Sequence, residues 1–477
     1  MLSKAQPFKM AITLWSVTIC GRYDHWKGDS LKVRYFLAAM LFETAVLLAQ
    51  SAPPLAAAPA TASSMWRPTA ELNERLPNWL RFDGTYRIRV EGQDGIGFKS
   101  VSDTHALGQL QIGVKIQPVA WLSFYGQTQD SRIYLNGPVA KAPPYQNTWD
   151  IHQAWGEVGS LTNYHFKIRA GRQVLNFGES RLVGESPWLN APRVFDAVLA
   201  TVAFSGVQID TFASSVVNSV DGTYDHHKQG NPLYGIYGTL SKLVPKASIE
   251  PYVFWRLAPS GYAAAYADGA KGKLDETTYG FRFAGTLPAQ FDYGTEMARQ
   301  SGTLGADSIG AWAGHWVVGR TFALKFRPRP FVEYNYASGN SSSTSTHLGT
   351  FDQLYPSGHD KFGVVDQVGW RNIRDLRAGL QVKPVSKLTV SAVYHDFWLA
   401  NAHDGLYAAN GSVLAKSLSG AAGTHVGQEI DIQGFYKLNN AVQFGSGFGH
   451  LAPGEFLKAT TLGHAYNYPF ATLTYAF

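Results

Sequence analysis

The chain has 477 residues, of which 45% are hydrophobic and only 16% charged, with 48 glycines, 24 tyrosines, 27 phenylalanines and 13 tryptophans. Its formal charge is +6, but residues 1–60 supply six Lys/Arg against three Asp/Glu; the rest holds 35 basic and 32 acidic residues, which excludes a nucleic-acid-binding polycation. Beyond residue 60 no apolar run reaches about eighteen residues, which excludes a transmembrane helix in the body of the chain.

Residues 1–60 read as a leader. "KVRYFLAAMLFETAVLLAQSAPPLAAAPA" places Lys32 and Arg34 before an apolar stretch and small residues after it, with cleavage expected near Ala58 or Ala60. Glu43 interrupts the apolar stretch and some thirty residues precede it, which suits a start site placed too early; a single N-terminal anchor helix is the alternative. The one cysteine, Cys20, falls in this leader, and "VTIC" is a poor lipobox because Ile19 occupies the position of a small residue. The exported chain is therefore expected to carry no disulfide or thiolate chemistry. Residues 61–80 read as a periplasmic N-terminal segment and 81–477 as one all-β unit.

From residue 81 onward, apolar and polar residues alternate with the period of two that a strand with unlike faces requires. "TYRIRVE" sets Tyr86, Ile88 and Val90 against Arg87, Arg89 and Glu91. "QLQIGVKIQ", "SIEPYVFWRL", "DLRAGLQVKP" and "EIDIQGFYKL" repeat the pattern, and so does the terminal "YPFATLTYAF", where Leu473, Tyr475 and Phe477 share one face. Short turns are expected at "QPVA", "SLTNY", "FSG", "VPKA", "LPAQ", "RPRP", "KPVSK" and "LNNA", separated by longer polar stretches such as "SGNSSSTSTHLGT". Tight turns on one side and long loops on the other are the asymmetry of an antiparallel transmembrane β-barrel in an outer membrane. Greek-key sandwiches do not sort their connections this way. Eight short turns and two free end strands predict eighteen strands, with sixteen as the alternative, and a last strand that closes on the first.

With the apolar face toward lipid, the inward basic residues are Arg87, Arg89, Lys115, Lys167, Arg169, Arg256, Arg282, Lys325, Arg327, Arg377, Lys383 and Lys437. The inward acids by the same register are Asp83, Glu91, Glu250, Glu333, Glu429 and Asp431, so the lumen is expected to lean positive and to suit acidic solutes. Individually, most of these residues are accounted for by pairing across the wall. Catalytic signatures are missing: there is no GxSxG elbow, no HExxH and no Walker loop. "DHHK" (225–228) reads as a solvated loop rather than a metal site, and His359 with Asp360 in "SGHDK" has no serine to complete a triad. Neither a cofactor nor an enzymatic activity is expected.

Two stretches are more specific: "AGRQVLNFGESRLVGESPWLNAPRVFDAV" (170–198), and "FDQLYPSGHDKFGVVDQVGWRNIRDLRAGLQVKP" (351–384) followed by "YHDFWLA". Together they resemble the alginate export family of outer-membrane barrels, from about residue 75 to the end. The resemblance implies an eighteen-stranded barrel that passes an anionic polyuronate through an electropositive constriction. Arg172, Arg181, Arg193, Arg371, Arg374 and Arg377 match basic positions of these motifs and are the expected constriction, joined by the inward Arg87, Arg89 and Arg169. Asp196, Asp366 and Asp375 are expected to hold the guanidinium groups in place. Where another basic residue is expected after "FDAV" the chain has Leu199, which implies a less basic pore than in a dedicated exporter.

The leading expectation is thus a passive outer-membrane channel for an alginate-like polysaccharide, probed by loops that leave a clear bore or a movable plug. The alternative is a porin for small organic acids, which needs a loop folded inward to narrow the lumen. A third reading, an adhesive barrel, places function in the loops "SGNSSSTSTH" and 401–427. Expected partners are the anionic solute, outer-membrane lipid and periplasmic export proteins, around a monomeric barrel.

Overall fold

The computed structural model describes residues 68–259 and 266–477; the leader, its cleavage sites and Cys20 lie outside the described residues. A short helix, α1 (Pro68–Arg75), precedes the first strand and is pinned to it by Asn73, which accepts from the Phe82 N–H at 2.8 Å and donates to its carbonyl at 2.7 Å.

Eighteen antiparallel strands then form one closed sheet. They are β1 (Leu80–Asp94), β2 (Ser102–Val119), β3 (Leu122–Tyr134), β4 (Asn147–Ser160), β5 (Phe166–Gln173) and β6 (Phe195–Phe204). Next come β7 (Val207–Asn218), β8 (His226–Leu240), β9 (Ala247–Ala258), β10 (Leu274–Leu287), β11 (Phe291–Leu304) and β12 (Asp307–Arg320). The last six are β13 (Arg329–Ala337), β14 (Ile373–Val385), β15 (Leu388–Leu399), β16 (His425–Lys437), β17 (Val442–Pro453) and β18 (Tyr466–Ala476). Closure is direct: β18 pairs with β1, Tyr475 opposite Tyr86 and Leu473 opposite Ile88. Phe477 and Gly84 exchange backbone hydrogen bonds of 2.9 and 3.0 Å. The aromatic C-terminus is therefore the seam of the barrel, and each of the eighteen strands has a neighbour on both sides.

All eight short turns stand where the sequence placed them. "SLTNY" closes as a single helical turn, Leu161–Tyr164, and the "RPRP" connection is the longest of the set, residues 321–328. One outer connection departs from the expected alternation. Strands β11 and β12 are joined by Gly305 and Ala306 alone, with Gly305 at φ 62 in the first position, where a II′ hairpin turn needs a residue free to take positive φ.

The outward faces carry the lipid-exposed apolar residues, among them Ile88, Ile112, Val198, Ile236, Val332, Leu376 and Ile432. Trp79, Trp121 and Tyr164 mark the short-turn rim, and Trp149 and Trp312 the long-loop rim, as aromatic girdles do at membrane interfaces. The principal hydrophobic core lies inside the barrel. Two long connections fold inward, loop A (residues 174–194) and loop B (338–372), and bury Leu175, Leu182, Phe351, Phe362, Val364, Val365 and Trp370 against Phe195, Ile373 and Phe397 of the wall.

Candidate functional site

Loop A crosses the bore. It leaves β5 and reaches β13 through Arg181, β18 through Trp188 and both β2 and β3 through Asn190. Asn190 donates to the carbonyls of Gly108, Arg132 and Tyr145 at 2.8–3.1 Å and accepts from Gln109 at 2.7 Å. The side-chain NH2 of Asn190 and its own main-chain carbonyl together answer four wall and loop groups, which fixes the loop without a sheet ladder. Loop B is tied to β9 by the ion pair Arg256–Asp352 and to β16 by the N–H groups of Val364 and Val365, which donate to Asp431 and Glu429. The two loops also hold each other. Val183 and Tyr355 form a parallel bridge, and Arg193 donates to the carbonyls of Gly184, Tyr355 and Pro356 at 2.8–3.0 Å. Trp188 lies flat on His359, ring centroids 4.0 Å apart and planes 3° from parallel, with the Arg89 guanidinium on a Trp188 ring at 4.0 Å.

Beneath these loops, in the short-turn half of the bore, lies a cavity of about 270 Å³. Its walls include Arg181, Arg329, Lys361 and Arg377, against Glu179, Glu333 and Asp360, with His315 and His359 beside them. Glu333 is the hub. It accepts from Arg181 at 2.8 Å and from Arg377 at 3.0 Å, and lies 3.1 Å from His315 Nδ1. Arg377 also sits 3.6 Å from Asp360, and Arg181 3.4 Å from Glu179, whose other oxygen takes Arg282 at 3.0 Å. Arg329 is paired with Asp292. Lys361 has no carboxylate within ion-pair distance among the described residues; burial, and then the neighbouring Arg181, push its ammonium down to about 8. The cavity is thus lined by four cations, three of them paired with carboxylates, and Lys361 is the one without an ion-pair partner among the described residues.

The expected constriction residues divide into three groups. Arg181 and Arg377 line this cavity. Arg87, Arg89 and Arg193 point inward but brace loops: Arg87 donates to the carbonyls of Pro187 and Leu189, and Arg89 pairs with Glu91 beneath Trp188. Arg371 braces the outer side, its guanidinium 4.6 and 4.2 Å from the rings of Tyr266 and Tyr407, while Arg169 pairs with Glu157 on the inner wall near the short-turn rim.

Arg172 and Arg374 must be moved out of the lumen altogether. Arg172 stands opposite Asp196, which lies two residues from the exposed Val198 and so shares its face, and pairs with Asp196 on the outer side. Arg374 lies on the same face of β14 as the exposed Leu376 and Leu380 and donates to the Leu399 carbonyl. The supporting carboxylates shift accordingly. Asp196 does hold a guanidinium, but outside; Asp366 holds His359 at 2.9 Å; Asp375 holds Asn335 and His395 at 3.0 and 3.1 Å. Arg172 and Arg374 each lie three residues from an inward arginine of the same strand, Arg169 and Arg377, and an odd separation puts them on the opposite face.

The wall as a whole carries less positive excess than the sequence register implied. Asp210, Glu276, Asp292, Glu296 and Asp375 also face inward, and the buried charged side chains among the described residues comprise fourteen carboxylic acids against four arginines. Lys325 and Arg327 belong to the 321–328 turn rather than the wall. Leu199 faces inward and packs against the core of the plug, so an apolar contact occupies the place of the expected cation. Of the cavity residues that sequence reasoning missed, Lys361, Glu179 and Asp360 sit in loops, where no alternation signals which way a side chain points, whereas His315 and Arg329 lie on strands.

Comparison with known proteins supports this fold. Residues 78–471 match the family described as alginate export. A search of curated proteins finds no match. Among solved structures, Acinetobacter baumannii OccAB2 superposes with a TM-score of 0.57 at 9% identity, over 83% of this chain and 98% of that one. Pseudomonas aeruginosa OccD3 (OpdP) gives 0.55 at 12% identity over 84% and 92%. Pseudomonas aeruginosa OpdK, crystallised with vanillate, gives 0.55 at 10% identity over 83% and 98%. At these identities the likeness is one of fold.

Proposed function

The chain belongs to the alginate export family of outer-membrane channels, and from that premise we propose that it passes small organic anions, with sugar acids as the class of solute its cavity is shaped for. The observation that carries this reading is the convergence of Arg181, Arg329, Lys361 and Arg377 on a cavity of about 270 Å³ beneath two inward-folded loops. A lumen narrowed by its own loops is how a porin selects small solutes, and fixed guanidinium groups choose carboxylates among them. The positive charge is local to this cavity rather than spread over the bore. The vanillate in the OpdK structure, a small aromatic carboxylate, accords with a barrel of this fold admitting such solutes. Family and fold are those of channels rather than enzymes.

A second reading, export of an alginate-like polysaccharide, draws on the family itself. A polymer requires loops A and B to move aside, because Asn190 and Arg181 hold loop A to opposite walls.

The test is reversal potential under a KCl gradient across a planar bilayer, followed by uronate monomers and oligomers of increasing length. Anion preference with block by monomer and dimer supports the small-anion channel. Block that appears only with long oligomers supports the exporter. Cation preference without block rejects both.

A further inference from the structure

Two arginines on the outer face near the long-loop rim have a carboxylate partner. Arg132 pairs with Asp130 and Arg172 with Asp196, each at 2.8 Å. Two do not. Arg299 is exposed and makes no hydrogen bond or ion pair among the described residues, and Arg374 meets only the Leu399 carbonyl. The nearest outward carboxylate to Arg374, Asp396, is already taken by His425 at 2.9 Å and Gln428 at 3.2 Å.

These two cations belong to one row. Arg299 stands opposite Trp312, Trp312 stacks on Tyr336 at 4.2 Å, Tyr336 stands opposite Arg374, Arg374 opposite Trp398, and Trp398 opposite His425. The row shares its face with the lipid-exposed Val332 and Leu376 and lies at the long-loop ends of β11–β16. An unpaired guanidinium facing lipid is costly at the bilayer midplane and tolerable where it reaches the headgroup layer. Aromatic side chains mark that same depth.

We propose that this row binds a phosphorylated saccharide headgroup of an outer-leaflet glycolipid, with Arg299 and Arg374 taking phosphates and Trp312, Tyr336 and Trp398 lying against the sugars. Three strand spacings separate the two arginines laterally, about 14 Å, so a headgroup with phosphates at both ends of a disaccharide spans them. Charge complementarity selects this occupant: among the described residues the row offers forked N–H donors and no free carboxylate, which favours the phosphates of an anionic headgroup. The site is independent of the pore, since both arginines stand on the far side of the wall from the cavity.

The experiment is native mass spectrometry of the full-length protein in detergent, titrated with a diphosphorylated disaccharide lipid and, separately, with its dephosphorylated form. Wild type should bind the phosphorylated lipid, and Arg299→Gln with Arg374→Gln should weaken binding about tenfold or more. The dephosphorylated lipid should bind wild type no better than the phosphorylated lipid binds the double variant. Arg299→Lys with Arg374→Lys should restore much of the affinity, whereas Arg320→Gln at the opposite rim should change nothing. Equal binding by wild type and double variant, or indifference to the phosphates, would overturn the proposal. Arg299→Gln alone touches no partner and keeps the test valid should the double variant fold poorly.

Discussion

Arg181 and Arg377 meet on a single carboxylate: Arg181 Nη2 lies 2.8 Å from Glu333 Oε1, and Arg377 Nη1 lies 3.0 Å from Oε2. One cation comes from an inward loop and the other from the wall, so Glu333 both seats loop A and offsets one of the two charges it meets. Glu333→Gln should therefore shift reversal potential further toward anions while destabilising the barrel by about 3–5 kcal/mol, the cost of leaving buried charges uncompensated. Arg377→Gln should act oppositely, moving selectivity toward cations and weakening uronate block by about tenfold. An Arg377→Gln channel with unaltered selectivity and block would remove the cavity from the conduction path.

Lys361 supplies a pH dependence with a definite sign. Its ammonium, lowered to about 8 by burial and by Arg181, is charged at pH 6 and mostly neutral at pH 9. Anion preference should fall as pH rises through about 8, and Lys361→Arg should flatten the profile. Stability moves the other way: the unfolded chain binds this proton more tightly, so Lys361 adds stability as pH climbs from about 8 to 10.5. A wild-type selectivity profile flat between pH 7 and 9 would contradict the assignment.

The plug should be removable by damaging its core. Trp370 is 1% exposed, packs against Phe351 and Phe362 and donates to the Tyr336 carbonyl at 3.0 Å. Trp370→Ala should cost about 3–5 kcal/mol in loop packing while leaving the strand ladder intact. Single-channel conductance should rise severalfold and longer oligouronates should gain access. Unchanged conductance, with lowered thermal stability, would mean that loop B does not set the pore's resistance.

Outward arginines should be silent in conduction. Arg374→Gln is expected to leave ion selectivity at the wild-type value under conditions where Arg377→Gln changes it, although the two residues lie three apart in one strand. A selectivity change in Arg374→Gln would place its side chain in the lumen and reverse the face assignment of β14.

The sequence by itself determined the barrel. Strand count, the eight short turns and the closing role of Phe477 all follow from period-two alternation and turn chemistry, because lipid on one side and water on the other impose a repeated local pattern. It also singled out Arg181 and Arg377 through the motifs that hold them. Only the tertiary structure decided what fills the bore. Loops A and B carry no such periodicity, and their course is set by long-range contacts such as Asn190 with Gly108 and Val364 with Asp431. The faces of Arg172 and Arg374 were set by strand alternation instead: each lies three residues from an inward arginine of its strand, Arg169 and Arg377, so a match to a basic motif position did not outweigh the pleat.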